Sequence, residues 1–293
     1  MIEILKDDLV AFQTNSRTIK LDWTNFLVME WDYVGEFTYQ FQVTPEDYLL
    51  FAKQSLQDRS TNGLIDAMSN AKRAIECQID SLISLLGYDY KSFDKRTAYP
   101  KTKNFISNFF NEENTDGITD RIKLLQILNI TPSFLISKIR SLRNKVEHEY
   151  IIPDPKDVKE AIEIAELFIN SSMRRTSWIN RMFFFGSNYN EEVKTRCDGS
   201  TYHSINLNPR YMCIELVHLM GKFFIKITIV KNNNHIVPYD SQEESNESFL
   251  VDIECEIYPV ILLIFFTKQY NYLLNIFNIQ IEKNHIKYKV QET

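Results

Sequence analysis

Glycine is scarce in this chain, at 7 of 293 residues, and proline is little commoner at 8. That scarcity excludes collagen-like and Gly/Pro-rich low-complexity architectures and disfavours a chain dominated by disorder. Cysteine is also sparse. Cys77, Cys197, Cys213 and Cys255 lie far apart, with no C-x-x-C spacing, so neither a zinc ribbon nor a dense disulfide framework is indicated and free thiols are expected. No long apolar run exists: the longest, Ile257 to Phe266, contains Pro259 and has 10 residues, half of the ~20 that a membrane helix requires. An excess of positive charge is missing too. At a net charge of −6 the chain cannot grip nucleic acid by being basic all over, so any such binding must use a local patch. The beginning, Met1-Ile2-Glu3-Ile4-Leu5-Lys6-Asp7-Asp8, lacks a basic segment followed by an apolar one, and the expectation is a cytoplasmic protein without a membrane partner.

What is present is aromatic and globular. Hydrophobic residues make up 44% and charged residues 25%, with 20 Phe and 15 Tyr, enough for a sizeable core. At this length one large or two modest domains are expected. The hydrophobic pattern divides the chain at about residues 43 and 175.

Residues 1–43 read as extended, because Phe37, Tyr39, Phe41 and Val43 alternate with polar residues, as do Ile19, Leu21 and Trp23. Residues 44–175 read as an α-helical bundle of four or five principal helices. Thr44-Pro45-Glu46-Asp47 supplies a capping hydroxyl, a first-turn proline and acids at the positive end of the helix dipole. A longer helix from about Leu64 to Leu86 has Ala67, Ala71, Ala74, Ile75, Gln78, Leu82 and Leu85 on one face and is stopped by Gly87. Asn104 to Phe110 has the makings of a short helix, and Thr119-Asp120 opens another to about Asn129. The closing helix starts near Pro155, with Val158, Ala161, Ile162, Ala165 and Phe168 on its apolar side. Residues 176–293 form an α+β or mainly β module, with strands expected at Phe223 to Val230, Leu250 to Tyr258, Val260 to Phe266 and Ile286 to Val290, and a helix at Pro209 to Met220. The fold class is therefore α+β: an all-α bundle plus a mainly β or α+β module. The strands of residues 1–43 are candidates to pair with the C-terminal sheet, which would make the bundle an insertion within one β unit.

Two stretches of the bundle carry chemistry. Between Tyr88 and Gly117, Lys91, Lys95, Arg96, Lys101 and Lys103 interleave with Tyr90, Phe93, Tyr99 and Phe105, a mixture suited to single-stranded nucleic acid; the same residues also suit a loop sealed onto the bundle by its rings. The second stretch runs from Ile139 to Tyr150. Phe134, Leu135, Ile139, Leu142 and Val146 mark an apolar helical seam, bordered by Arg140, Asn144 and His148 on one stripe and by Arg143 and Glu147 on another. A guanidinium, an amide and an imidazole beside one groove can hold a phosphodiester and move protons around it. Arg143 and Glu147 also suit a solvated i, i+4 ion pair, and His148 a position near a helix C-terminus.

With these residues in place, the bundle resembles the HEPN superfamily, small helical domains whose penultimate helix carries an arginine, an adjacent polar residue and a histidine after four intervening residues. Arg143, Asn144 and His148 match that pattern, and Tyr150 completes the His-x-Tyr arrangement of HEPN toxins. The resemblance covers residues 44–175 and implies metal-independent endoribonuclease activity by a symmetric homodimer, with RNA as substrate, no cofactor and no metal. It also implies a toxin or anti-phage defence role, with a protein inhibitor or antitoxin as partner and Tyr150 as a nucleotidylation target. In that scheme His148 exchanges protons with the ribose 2′-hydroxyl, Arg143 holds the scissile phosphate, and Asn144 contacts the phosphate or orients the imidazole. An acid on the second helix supports the site, Glu76 being preferred to Asp80; Glu147 and Tyr150 are further supporting residues. Arg140, Lys145, Lys95, Arg96 and Lys101 are candidate RNA-binding cations. Arg143 and His148 stand about 140° apart around one helix, so one copy supplies a splayed half-site and two facing copies a complete one.

Two functions compete with cleavage: a non-catalytic bundle that binds nucleotide or RNA or only dimerises, and an adaptor whose β module binds another protein. The C-terminal third shows no motif of its own. His203, His218, His235 and His285 lie there without metal-ligand spacing.

Overall fold

A computed structural model describes residues 3–5, 25–31, 41–58, 60–110, 118–131, 152–176, 181–185, 211–219, 222–230, 246–272 and 287–292. The chain is α+β and divides into two compact units, one formed by residues 35–178 and the other by residues 1–34 together with 179–293.

In the helical unit, α1 (Pro45–Gln57) starts at a capping box. The Asp47 N–H donates to Thr44 Oγ1 at 3.2 Å and the Thr44 N–H donates to Asp47 Oδ2 at 2.9 Å, so two backbone donors at the helix start are satisfied. The Thr44 N–H and the Thr44 hydroxyl, each donating to Asp47 Oδ2 at 2.9 Å, hold the Asp47 carboxyl below its ordinary range. The long helix α2 (Thr61–Leu85) starts at Ser60, whose hydroxyl accepts from the Gly63 N–H at 3.0 Å. At its other end Gly87 takes φ 91°, the left-handed conformation that glycine adopts without a Cβ penalty. The Gly87 N–H then donates to the Ser84 carbonyl and the Tyr88 N–H to that of Ile83, the reciprocal pair that closes a Schellman motif.

Ala67, Ala71 and Ala74 are fully buried along α2, and their small size lets α1 and α5 (Pro155–Thr176) approach closely. Between α2 and α5 the buried Gln78 amide donates to Ser172 Oγ at 2.9 Å, a polar link that satisfies an otherwise costly group and fixes the register of the two helices. Two shorter helices, α3 (Pro100–Phe109) and α4 (Asp120–Ile127), complete the described bundle.

The second unit holds a seven-stranded mixed sheet. Its strands are β1 (Glu3–Leu5), β2 (Asn25–Trp31), β3 (Arg181–Phe185), β4 (Tyr211–Leu219), β5 (Lys222–Val230), β6 (Asn246–Val251) and β7 (Lys287–Glu292), in the spatial order β1-β6-β5-β4-β3-β2-β7. Strand β1 runs parallel to β6 and β2 parallel to β7, while the interior pairs are antiparallel. Strands from before the bundle thus pair with strands from after it. Glu215 and Lys226 face each other across β4 and β5 and form an ion pair of 3.5 Å.

Some expectations are corrected here. Tyr211–Leu219, expected as part of a helix, is a strand: Met212, Cys213 and Ile214 are all buried, and pairing with β3 and β5 overrides the helical leaning of Met, Glu and Leu. The run Val260 to Phe266, expected as a strand, belongs to helix α6 (Ile257–Thr267); it is buried nearly all round, so its apolar residues show no period that separates helix from strand. Pro259 sits in its first turn, where a missing N–H costs no helical hydrogen bond. The strand expected at Leu250 to Tyr258 ends at Val251, because Asp252 accepts from the Glu254 and Cys255 N–H groups and turns the chain. Phe41 to Val43, expected in a strand, form a bend that leads into α1. Among the described residues no helix is long and apolar enough to cross a membrane.

Candidate functional site

The face of α2 opposite its alanine stripe carries Arg73, Glu76, Cys77 and Asp80, at i, i+3, i+4 and i+7, and this spacing lines them up along one side of the helix. They form one wall of a cleft of about 400 Å³. Phe41 and Val43 from the bend before α1, Tyr48 of α1 and Tyr90 from the turn after α2 supply the remaining lining. The Phe41 and Tyr90 rings meet edge to face with centroids 5.3 Å apart, and Lys91 Nζ lies 5.6 Å from the Tyr90 centroid.

The two acids and the thiol of the α2 wall have different surroundings. Asp80 is bound by Arg121 of α4, whose guanidinium also donates to Asp94 Oδ2 at 2.6 Å while its backbone N–H reaches Asp94 Oδ1 at 3.3 Å. Burial pushes the Asp80 carboxyl up to about 6 in spite of Arg121, with the Glu76 and Asp94 charges adding to the rise. Arg121 is shifted the other way in effect: burial opposes its charge, but the Asp94 and Asp80 carboxylates outweigh it and hold the guanidinium more firmly protonated. Arg121 thus binds both acids, and burial raises Asp80 against that pull. Cys77 donates to the Val43 carbonyl at 3.6 Å, and burial together with the Asp80 charge raises its thiol to about 11. It is therefore a neutral thiol near pH 7 and a poor nucleophile. Glu76 is half-buried in the cleft, and among the described residues no hydrogen-bond donor reaches its carboxylate.

The basic segment after α2 is sealed. Phe93 is fully buried and Tyr88 nearly so; their centroids are 5.0 Å apart, and Tyr99 lies 5.0 Å from Tyr88 and 5.5 Å from Phe93. The Tyr99 hydroxyl accepts from the Asp89 N–H at 2.9 Å, and the Tyr88 and Thr102 hydroxyls are 3.1 Å apart. These rings hold the loop against the bundle, while Tyr90, another of the aromatics expected to stack on bases, borders the cleft beside α2. The cations are differently placed. Lys95 and Arg96 are exposed, Lys101 is half-buried in the first turn of α3, and Lys103 donates to the Lys95 carbonyl and lies 3.9 Å from Asp120.

Of the residues singled out from sequence, Glu76, Asp80, Tyr90, Lys91, Lys95, Arg96, Lys101 and Lys103 are among those that fall in this described region. Arg140, Arg143, Asn144, Lys145, Glu147, His148 and Tyr150 lie outside the described residues, between α4 and α5. The structure adds Arg73, Tyr48 and Arg121. The i, i+3, i+7 spacing of Arg73, Glu76 and Asp80 was a visible signal for the first of these. Nothing local marks Arg121, which reaches Asp80 from 41 residues away. Among the described residues no group of His, Cys, Asp and Glu is arranged to hold a metal ion.

No protein-family model, no curated protein and no solved structure matches this chain.

Proposed function

We propose that the chain is a metal-independent endoribonuclease of the HEPN type, acting as a homodimer in a toxin or anti-phage defence role. The observation that carries this reading is the Arg143-Asn144 pair followed by His148, in a bundle sequence, directly ahead of the proline-marked start of α5. In this mechanism His148 takes the proton of a ribose 2′-hydroxyl, and the freed oxygen attacks the neighbouring phosphorus. The bond from phosphorus to the 5′ oxygen breaks, and that oxygen receives a proton from an imidazolium, leaving a 2′,3′-cyclic phosphate and a 5′-hydroxyl. Arg143 offsets the charge that gathers on the phosphoryl oxygens, and Asn144 holds the phosphate or the imidazole in place. A protein inhibitor or antitoxin would restrain such an enzyme in the cell.

The test is incubation of purified protein with mixed RNA in EDTA, comparing wild type with His148→Ala and Arg143→Ala. The expected outcome is cleavage by wild type alone. Cleavage unchanged in both variants overturns the assignment. A second reading, binding of a nucleotide or RNA without cleavage, is favoured by the α2 cleft and its Glu76 carboxylate, which accepts no hydrogen bond from a described residue. Tight nucleotide binding with no cleavage by any form would select it.

A further inference from the structure

We propose that the cleft beside α2 is a guanine-binding site in which Glu76 accepts two hydrogen bonds from the base and the Tyr90, Tyr48 and Phe41 rings enclose it. The proposal stands on the cleft rather than on cleavage at His148, and it holds whether or not the chain cuts RNA.

The cleft volume of about 400 Å³ falls within the ~300–1,000 Å³ of small-molecule pockets. Its rings provide the apolar and π surface on which an unstacked base is held. Selectivity follows from the second carboxylate of the cleft, which feels the Arg121 charge without being hydrogen-bonded to it. Asp80 is engaged by Arg121, whereas Glu76 accepts no hydrogen bond from any described residue. An ionised carboxylate is acceptor-only, with two oxygens side by side. Guanine alone among the four RNA bases presents two adjacent donors, N1–H and the N2 amino group, on its Watson–Crick edge. Adenine, cytosine and uracil each set an acceptor beside their donor, which would meet the second Glu76 oxygen with repulsion.

The charges at the rim fit the rest of a nucleotide. Arg73 is exposed on the same helix face, and Lys91 is exposed beside Tyr90. Both can meet a phosphate. The same two cations would repel a cationic occupant such as an arginine side chain, the other planar group that pairs with a carboxylate and lies on aromatic rings.

The guanine can come from a free nucleotide or from single-stranded RNA, and one titration series separates the sources. Full-length protein, with a His148→Ala exchange to prevent cleavage, is titrated with GMP, AMP, CMP and UMP, and with short single-stranded RNAs that contain or lack guanine. Binding is followed by Tyr and Trp fluorescence. GMP is expected to bind about ten-fold or more tighter than the other three mononucleotides. Guanine-containing RNA that binds tighter than GMP marks RNA as the source, and equal binding marks the nucleotide. Inosine monophosphate, which keeps N1–H and lacks the N2 amino group, should fall between GMP and AMP. Adding Glu76→Gln should abolish the preference, since the amide turns one acceptor into a donor; unchanged far-UV circular dichroism verifies its fold. Tyr90→Leu should weaken every base and keep the order. Equal binding of the four bases, a guanine preference that survives Glu76→Gln, or arginine amide binding more tightly than GMP would each overturn the proposal.

Discussion

Asp80 and Arg121, 41 residues apart in the sequence, are joined by an ion pair that ties α4 to α2. The Arg121 guanidinium also bonds Asp94, so one cation fastens a helix, a turn and a second helix together. The arrangement is burdened by one charge too many. With burial foremost, and with Glu76 and Asp94 close by, the Asp80 carboxyl titrates near 6 rather than at its ordinary 3.8. An acid whose pKa is higher folded than unfolded binds protons more readily in the folded state. Its contribution to stability is complete below the unfolded pKa and is lost as pH rises through about 6. Denaturant titrations of wild type and Asp80→Asn from pH 4 to pH 7.5 should therefore separate with pH in one direction only. Wild type should gain on the variant by about 1 to 2 kcal/mol as pH falls across that window, a figure reduced for the screening that water gives a partly exposed carboxyl. A difference between the two that is flat with pH would show that Asp80 carries no such shift.

The connection between α1 and α2 should be as intolerant of a methyl group as any position in the bundle. Gly63 lies in the first turn of α2, and a Cβ there would meet the Ser55 carbonyl oxygen at 2.8 Å and press still harder on that of Asp58. Both obstacles are backbone, so the clash is relieved only by moving the end of α1 away from the start of α2. Gly63→Ala is expected to destabilise by about 2 kcal/mol or more, the scale of overpacking in a closely packed site. That is the reverse of the stabilisation alanine usually gives at a helical glycine. A thermal melt decides it, and an unchanged or raised melting temperature would contradict the geometry.

The helical unit was legible because its signals are local. Thr44 is the capping hydroxyl that the sequence offered and forms a capping box with Asp47, Gly87 ends α2 in the conformation only glycine takes freely, and the alanine stripe of α2 is buried. The β unit was legible only in part. Lys222–Val230 alternates and is a strand, but Tyr211–Leu219 owes its extended state to β3 and β5 on either side, and pairing across distant segments leaves no mark in one segment's composition. The apolar run in α6 fails for the opposite reason: burial all round erases the period that would have identified it. At the site, Glu76 could be picked out by its place on the second helix. Tyr90 was marked by its basic neighbours, but its meeting with Phe41 and Tyr48 was not, because three separate segments bring these rings together.

Cys77 looks like a reactive group by position, half-buried in a cleft beside carboxylates, and its surroundings make it the reverse. Burial and the Asp80 charge favour the neutral thiol, raising it to about 11. Since the thiolate is the nucleophile, alkylation by iodoacetamide at pH 8 should be about a hundred-fold slower at Cys77 than at an ordinary exposed thiol. Site-resolved mass spectrometry keeps Cys77 distinct from Cys197, Cys213 and Cys255. Rapid labelling of Cys77 at pH 8 would mean that the thiol is not held neutral.

Lys95 and Arg96 offer a test of whether the basic turn contributes to the proposed RNA binding. Phe93 is fully buried among Tyr88 and Tyr99, so these rings hold the turn in place instead of stacking on bases, and the exposed Lys95 and Arg96 are left to act by charge alone. Charges of that kind release counterions without reading sequence. Replacing both by alanine should weaken single-stranded RNA binding equally for all sequences and reduce the slope of log K against log salt by about 0.7 for each phosphate no longer neutralised. Stability should hardly change, because neither side chain is buried. Filter binding of two unrelated RNAs across a range of salt concentrations makes the measurement. A change confined to one RNA sequence would assign base readout to this turn, and an unchanged slope for both would remove it from the binding surface.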